Sequence, residues 1–274
     1  MSEHTFETPG PVELFVEVGK GTVHVRATET ATVEVQIQGR DAEQVRVEQH
    51  GRRVTVVAPR QRNNLFGSDA GLQVDVTVPE DSDVAIRTGS ADVVVEGRVG
   101  DGRLRSGSGD VRIESLGGPG VVETGSGDVR VGAALGDLRV KSGSGTVELG
   151  RTSATVAVST GSGDVVIGSA DGPTAVKTGS GDLVVRETRT DVTLSTGSGD
   201  LAVATAHRGR ITVKGASGDV LVGVPAGVPV WTDITTVSGE IRSALAGAGR
   251  PAEGQDHLEL RAKTVSGDVV LVRA

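Results

Sequence analysis

The 274-residue chain has no cysteine and no tyrosine, a single tryptophan, three phenylalanines and one methionine. The lack of cysteine excludes disulfides, a thiolate metal site and a cysteine nucleophile. With aromatics at only 1 % of the residues, the volume that usually fills a globular core of this size is missing. The core must therefore be thin and made of Val, Ile and Leu. That suits a repeat fold in which each unit buries a little surface against its neighbours, and it does not suit a compact enzyme with a deep pocket. A basic surplus is lacking too. The net charge is −8, which argues against nucleic acid as a main partner. No apolar run approaches the ~20 residues of a membrane helix, so no membrane span is expected. The opening MSEHTFETPGPVELF carries neither the basic region nor the apolar stretch of a secretory signal, and the expectation is a cytoplasmic protein.

Glycine, by contrast, occurs 41 times, and it is periodic. Ser106 to Ala133 reads SGSGDVRIESLGGPGVVETGSGDVRVGA, with GSGDV twice and its aspartates, Asp110 and Asp128, 18 residues apart. Internal repeats of this length set the architecture. The residue after SG (or SA) falls at Asp92, Asp110, Asp128, Thr146, Asp164, Asp182 and Asp200, always 18 apart, and then at Asp219, Glu240 and Asp268 with wider spacing. One position on stand Val93, Val111, Val129, Val147, Val165, Leu183 and Leu201; three on stand Val95, Ile113, Val131, Leu149, Ile167, Val185 and Val203. Six positions before it stand Ile86, Leu104, Val122, Val140, Val158, Val176 and Leu194. This is strand alternation, two short strands per unit, each with one inward apolar face.

Two folds accommodate such a unit: a β-solenoid stacking like on like in parallel ladders, and an antiparallel meander. The identical apolar positions and the constant spacing favour the solenoid. The predicted architecture is all-β, an elongated β-solenoid (parallel β-helix-like) with 18-residue coils and two short strands per coil. At ~4.8 Å per coil, ten coils would span roughly 48 Å. Residues 1–80 alternate less regularly and are expected to continue into, or cap, the solenoid of residues 81–274. VGKGT at Val18 to Thr22 lacks phosphate-loop spacing and reads as a hairpin turn or an early corner. A polar loop is expected from Pro59 to Gly71 and a loop insertion near 244–257. The irregular units around Trp231 and the loop near Arg250 are expected to cap the far end.

The recurring corner is the candidate site. Its members are Ser108, Gly109 and Asp110; Ser126, Gly127 and Asp128; Ser162, Gly163 and Asp164; Ser180, Gly181 and Asp182; and Ser198, Gly199 and Asp200. Glycine permits positive φ or close approach, and a small hydroxyl residue at a tight corner can turn inward to bond local backbone. The structural reading is a turn built the same way ten times. The acidic column needs more explanation, because carboxylates ~5 Å apart repel by about 0.8 kcal/mol per pair in water. Three things could offset this: hydrogen bonds from backbone N–H groups or the serine hydroxyl, the nearby Arg87, Arg103, Arg105, Arg112, Arg130, Arg139 and Lys141, or cations between coils. The calcium-binding nonapeptide β-roll GGxGxDxUx is not matched, since here Asp follows Gly directly and the apolar residue follows Asp directly.

Catalytic patterns are missing. The five histidines, His4, His24, His50, His207 and His257, belong to no column and form no HExxH pair, and there is no G-x-S-x-G elbow. No catalytic residue, metal site or cofactor is assigned. One outward column departs from a solvated surface. Two positions after the anchor, Val166, Val184, Ala202 and Leu221 are apolar. Scattered exposed valine is ordinary; the sharper reading is a contact stripe.

The repeated T/S-G-S-G-D-V/L-x-V/I/L, preceded by an alternating section ending in VDVTVPEDSDVAIRTGSADVVVEG, resembles the bacterial β-strand-repeat (GSGDV-repeat) family labelled "putative adhesins", over residues 12 to 274. The resemblance implies a β-solenoid, with some members linked to the cell surface or to envelope stress. It brings no catalytic residues. The function expected is a non-enzymatic structural or interaction scaffold for a protein partner or for copies of itself. The alternatives are a surface or secreted adhesin, with or without calcium stabilising it, and a carbohydrate-active solenoid enzyme.

Overall fold

The computed structural model describes residues 1–59, 71–245 and 255–274. The expected polar loop after Pro59 and the centre of the expected insertion at 244–257, with Arg250, lie outside the described residues. The chain forms two compact units, Met1–Leu138 and Arg139–Ala274. Apart from one 3-10 turn at Ala42–Gln44, the described elements are strands. Alternation at period two dictates this: most strands bury one face of Val, Ile or Leu and turn the other outward.

The first unit holds β1 (Ser2–Glu7), β2 (Glu13–Val18), β3 (Gly21–Thr28), β4 (Thr32–Gln38), β5 (Arg46–His50), β6 (Arg53–Val57), β7 (Leu72–Pro79), β8 (Asp83–Thr88), β9 (Asp92–Val99), β10 (Gly102–Ser106), β11 (Val111–Leu116), β12 (Gly120–Thr124) and β13 (Val129–Ala134). They lie in two sheets. Sheet A runs β1-β4-β7-β3-β9-β11-β13 and sheet B runs β5-β6-β2-β8-β10-β12. Each coil contributes one strand to each sheet. Between coils the pairing is parallel and like stacks on like. Val111 lies beside Val93 and Val129, Ile113 beside Val95 and Val131, and Leu104 beside Ile86 and Val122. All of these are buried. This is the β-solenoid read from the repeat, not the meander. VGKGT joins β2 in sheet B to β3 in sheet A and is a solenoid corner, not a hairpin. Antiparallel pairing, among the described residues, is confined to β1–β4, β4–β7 and β5–β6. There it adds charged edge strands of the kind that blunt a sheet edge.

The second unit holds β14 (Leu138–Ser142), β15 (Val147–Thr152), β16 (Val156–Thr160), β17 (Val165–Ala170), β18 (Thr174–Thr178), β19 (Leu183–Thr188), β20 (Val192–Thr196), β21 (Leu201–Ala206), β22 (Gly209–Lys214), β23 (Val220–Val224), β24 (Val230–Thr235), β25 (Ile241–Ser243), β26 (Leu258–Lys263) and β27 (Val269–Arg273). Here sheet A runs β15-β17-β19-β21-β23-β27-β25 and sheet B runs β14-β16-β18-β20-β22-β26-β24. The last two coils are therefore stacked out of chain order. The chain passes from β22/β23 to the outer coil β24/β25, then returns to lay β26/β27 between them. The inserted coil is well packed, with Leu258, Leu260, Ala262, Val269 and Leu271 buried. The outer coil is not: Trp231 and Ile241 are exposed.

Candidate functional site: a corner ladder and an outward apolar ladder

The corner is built by close approach. Gly109 is buried, and a Cβ on it would lie 2.1 Å from the carbonyl oxygen of Ala91 one coil earlier; on Gly181 it would lie 2.1 Å from that of Gly163. Neither glycine has a positive φ, so it is the spacing of stacked backbones, not a left-handed conformation, that requires glycine here.

The aspartates form a ladder. Asp110 N–H donates to Asp92 Oδ1 at 2.9 Å, and Asp128 N–H to Asp110 Oδ1 at 2.9 Å. In the second unit Asp182 N–H donates to Asp164 Oδ1 at 2.9 Å, Asp200 N–H to Asp182 at 2.8 Å and Asp219 N–H to Asp200 at 2.7 Å. Each carboxylate thus accepts the backbone N–H of the next coil, a charge-assisted bond that offsets repulsion along the column. A second ladder uses the opposite corner, where Asp101 N–H donates to Asp83 Oδ1 and Arg210 N–H to Asp191 Oδ1.

Two expectations about the corner need correction. The serine before the anchor glycine does not turn inward: Ser108, Ser126, Ser162, Ser180 and Ser198 are all exposed. The corner is closed instead by the hydroxyl residue four before the anchor. Ser106 and Ser142 donate to the carbonyls of Gly109 and Gly145. Thr124, Thr160 and Thr178 accept the N–H groups of Gly127, Gly163 and Gly181 at 3.1, 3.0 and 2.8 Å. These five side chains are buried, where an unmade hydrogen bond is costly. The arginines, too, do not form one cluster along the acidic column. Arg87, Arg103 and Arg105 stand on the outer face of sheet B, whereas Arg112 and Arg130 stand on sheet A beside Asp110 and Asp128.

The outward column is continuous. In the second unit Val166 pairs with Val184, Val184 with Ala202, Ala202 with Leu221, and Leu221 with Val270. Glu148 stands before Val166 and Arg242 after Val270, so charged residues bound the apolar run. Val184 is 38 % and Leu221 44 % exposed. The next outward position carries Gly168, Arg186, Ala204 and Gly223, small residues except for Arg186 beside Val184. Val270 was missed in the sequence because the spacing breaks after Asp219; the rule of two residues past the anchor Asp268 would have found it.

The histidines lie apart from the serine column. His24 meets Glu96 at 3.0 Å and Asp75 at 3.5 Å, and His207 meets Glu187 at 2.8 Å. Among the described residues no three His, Cys, Asp or Glu side chains converge where a metal ion could be held. Nor is any helix there long and apolar enough to cross a membrane.

Parallel two-strand coils, a hydrogen-bonded corner ladder and an outward apolar ladder define a β-solenoid repeat protein. The chain belongs to the Toastrack DUF4097 family, whose model matches residues 12–272. No curated protein matches it. Similar solved structures include a "putative adhesin" from Bacteroides fragilis, 14 % identical, covering 98 % of this chain and 96 % of that one with a TM-score of 0.38. A "putative adhesin" from Parabacteroides distasonis is 16 % identical, covering 99 % and 96 %, with a TM-score of 0.41. A "putative lipid binding protein" from the same organism is 12 % identical, covering 99 % and 96 %, with a TM-score of 0.36.

Proposed function

We propose that the chain is a non-enzymatic interaction scaffold and that the outward ladder of Val166, Val184, Ala202, Leu221 and Val270 is its contact surface for another protein or a further copy of the chain. The observation that carries this reading is the register of the ladder: five consecutive coils place an apolar side chain at one outward position. Isolated exposed valines are common, but a contiguous apolar strip on a sheet face marks a contact site. Burying the exposed parts of Val184 and Leu221 in an interface is worth about 0.5–1 kcal/mol each.

The test is Val184→Lys combined with Leu221→Lys. Both side chains point outward, so the fold is retained. Sedimentation velocity over a concentration series, with and without host lysate, should show larger species for the wild-type chain and their loss in the double variant. Identical sedimentation of the two proteins in both settings would sink the proposal.

A further inference from the structure

The first unit carries a groove of about 610 Å³ on the outer face of sheet B, a different face and unit from the contact surface above. Its shape follows from register. On adjacent strands Phe15 lies beside Ala85, and Ala85 beside Arg103. The small Ala85 leaves a hollow between two long side chains. One column over, Arg87 lies next to Arg105.

The charges in the hollow are unevenly satisfied. Arg105 is paired with Glu123 at 2.8 Å and Arg53 with Glu13 at 2.7 Å. Among the described residues, Arg87 and Arg103 have no ion-pair partner. Arg87 is held instead over the Phe15 ring, 5.6 Å from its centroid, a contact that orients the guanidinium without neutralising it. Arg87 and Arg103 stand diagonally about Ala85, Arg87 with Glu17 beside it on β2, and both line the groove as guanidinium donors open to an oxyanion. Asp83 and Asp101 line the same groove, two residues before Ala85 and Arg103 in the chain, and one oxygen of Asp83 is occupied by the Asp101 N–H at 2.9 Å. These carboxylates accept hydroxyl hydrogen bonds and repel a second negative charge. The complement is a polyhydroxylated group with a single carboxylate.

We propose that this groove binds an acidic glycan, with the carboxylate of one hexuronate residue held by Arg87 and Arg103 over Ala85 and its hydroxyls directed to Asp83 and Asp101. Phe15 is a positioning residue for Arg87.

The test uses titration calorimetry of the full chain at physiological ionic strength. The probes are hexamers of galacturonate and of mannuronate, a hyaluronan hexasaccharide, the methyl-esterified galacturonate hexamer, and inorganic phosphate. At least one uronate oligomer should saturate the protein. Where that oligomer is galacturonate, esterification should weaken binding about 10-fold, the loss of a charge-assisted hydrogen bond. Arg103→Ala, and separately Ala85→Gln, which fills the hollow, should each weaken it by a similar factor. Arg112→Ala, an exposed arginine on sheet A, should leave it unchanged, and unaltered melting would show that every variant folds. The proposal is overturned by saturation with none of the three uronate oligomers, by equal affinity for the ester, by wild-type affinity in both groove variants, or by phosphate binding more tightly than any uronate.

Discussion

The backbone N–H of Asp268 donates to Asp219 Oδ1 at 2.8 Å across 49 residues of sequence, while Glu240, between them in the chain, donates its N–H to Asp268 at 2.9 Å. The acidic ladder thus runs Asp219, Asp268, Glu240. The coil that completes the packing of β22/β23 is the last one in the chain. Deleting residues 227–255 and joining Ala226 to Asp256 should therefore leave β26 on β22 and β27 on β23. The shortened chain should keep its strand circular dichroism and a cooperative thermal transition. Truncation after Ser243 should instead leave β24 and β25 without their parallel partner and melt that end. Equal damage from both deletions would contradict the stacking order.

Asp200 is the ladder position with the shortest bond, accepting Asp219 N–H at 2.7 Å. Asp200→Ala removes the acceptor and should cost about 1 kcal/mol in urea unfolding. Asp200→Asn keeps an oxygen in place and removes a charge from the column, so it should be at least as stable as the alanine variant and less sensitive to salt. Because the ladder is held by backbone N–H groups, EDTA should leave the melting temperature of the wild-type chain unchanged. A large drop on chelation would show that a cation takes part.

The buried hydroxyl, not the repeated exposed one, closes the corner. Thr178→Val should destabilise by about 1–2 kcal/mol, because the buried Gly181 N–H loses its acceptor. Ser180→Ala, at an exposed position, should fall within about 0.5 kcal/mol of wild type. The comparison is made by denaturant unfolding, and the reverse order of effects would refute the assignment.

Glu259 gives a pH dependence with a defined sign. Burial pushes its carboxyl up, but hydrogen bonds from Arg210 and Arg261, the latter at 2.6 Å, outweigh this and hold it below the ordinary carboxylate value. A carboxyl depressed in the folded state contributes stability above its unfolded pKa, and that contribution is lost as pH falls through the folded value. Wild type should therefore melt above Glu259→Gln at neutral pH, and the gap should close on acidification through the carboxylate range. A gap that widens with acid would reverse the argument.

Much of the fold was legible because the signals are local and repeated. Val111, Val129 and Val147, with Ile113, Val131 and Leu149, fix the inward face by alternation alone, and constant spacing makes like stack on like. The corner was read at the wrong hydroxyl. Ser180 recurs more faithfully than Thr178, but recurrence does not reveal which side chain points inward. The outward ladder was legible to Leu221 and lost at Val270, where the spacing breaks. The groove was not legible, since Phe15 lies 70 residues before Ala85 in the chain and belongs to the irregular section.

The sequence by itself determined a two-strand coil of 18 residues, its thin aliphatic core and its glycine corners, because alternation and steric need for glycine act within one coil or between adjacent identical ones. Only the tertiary structure decided the order of the last two coils, the neighbours of Phe15 and the sheet that each arginine occupies. Those depend on which strands become neighbours, and any parallel partner of matching alternation satisfies the same ladder hydrogen bonds.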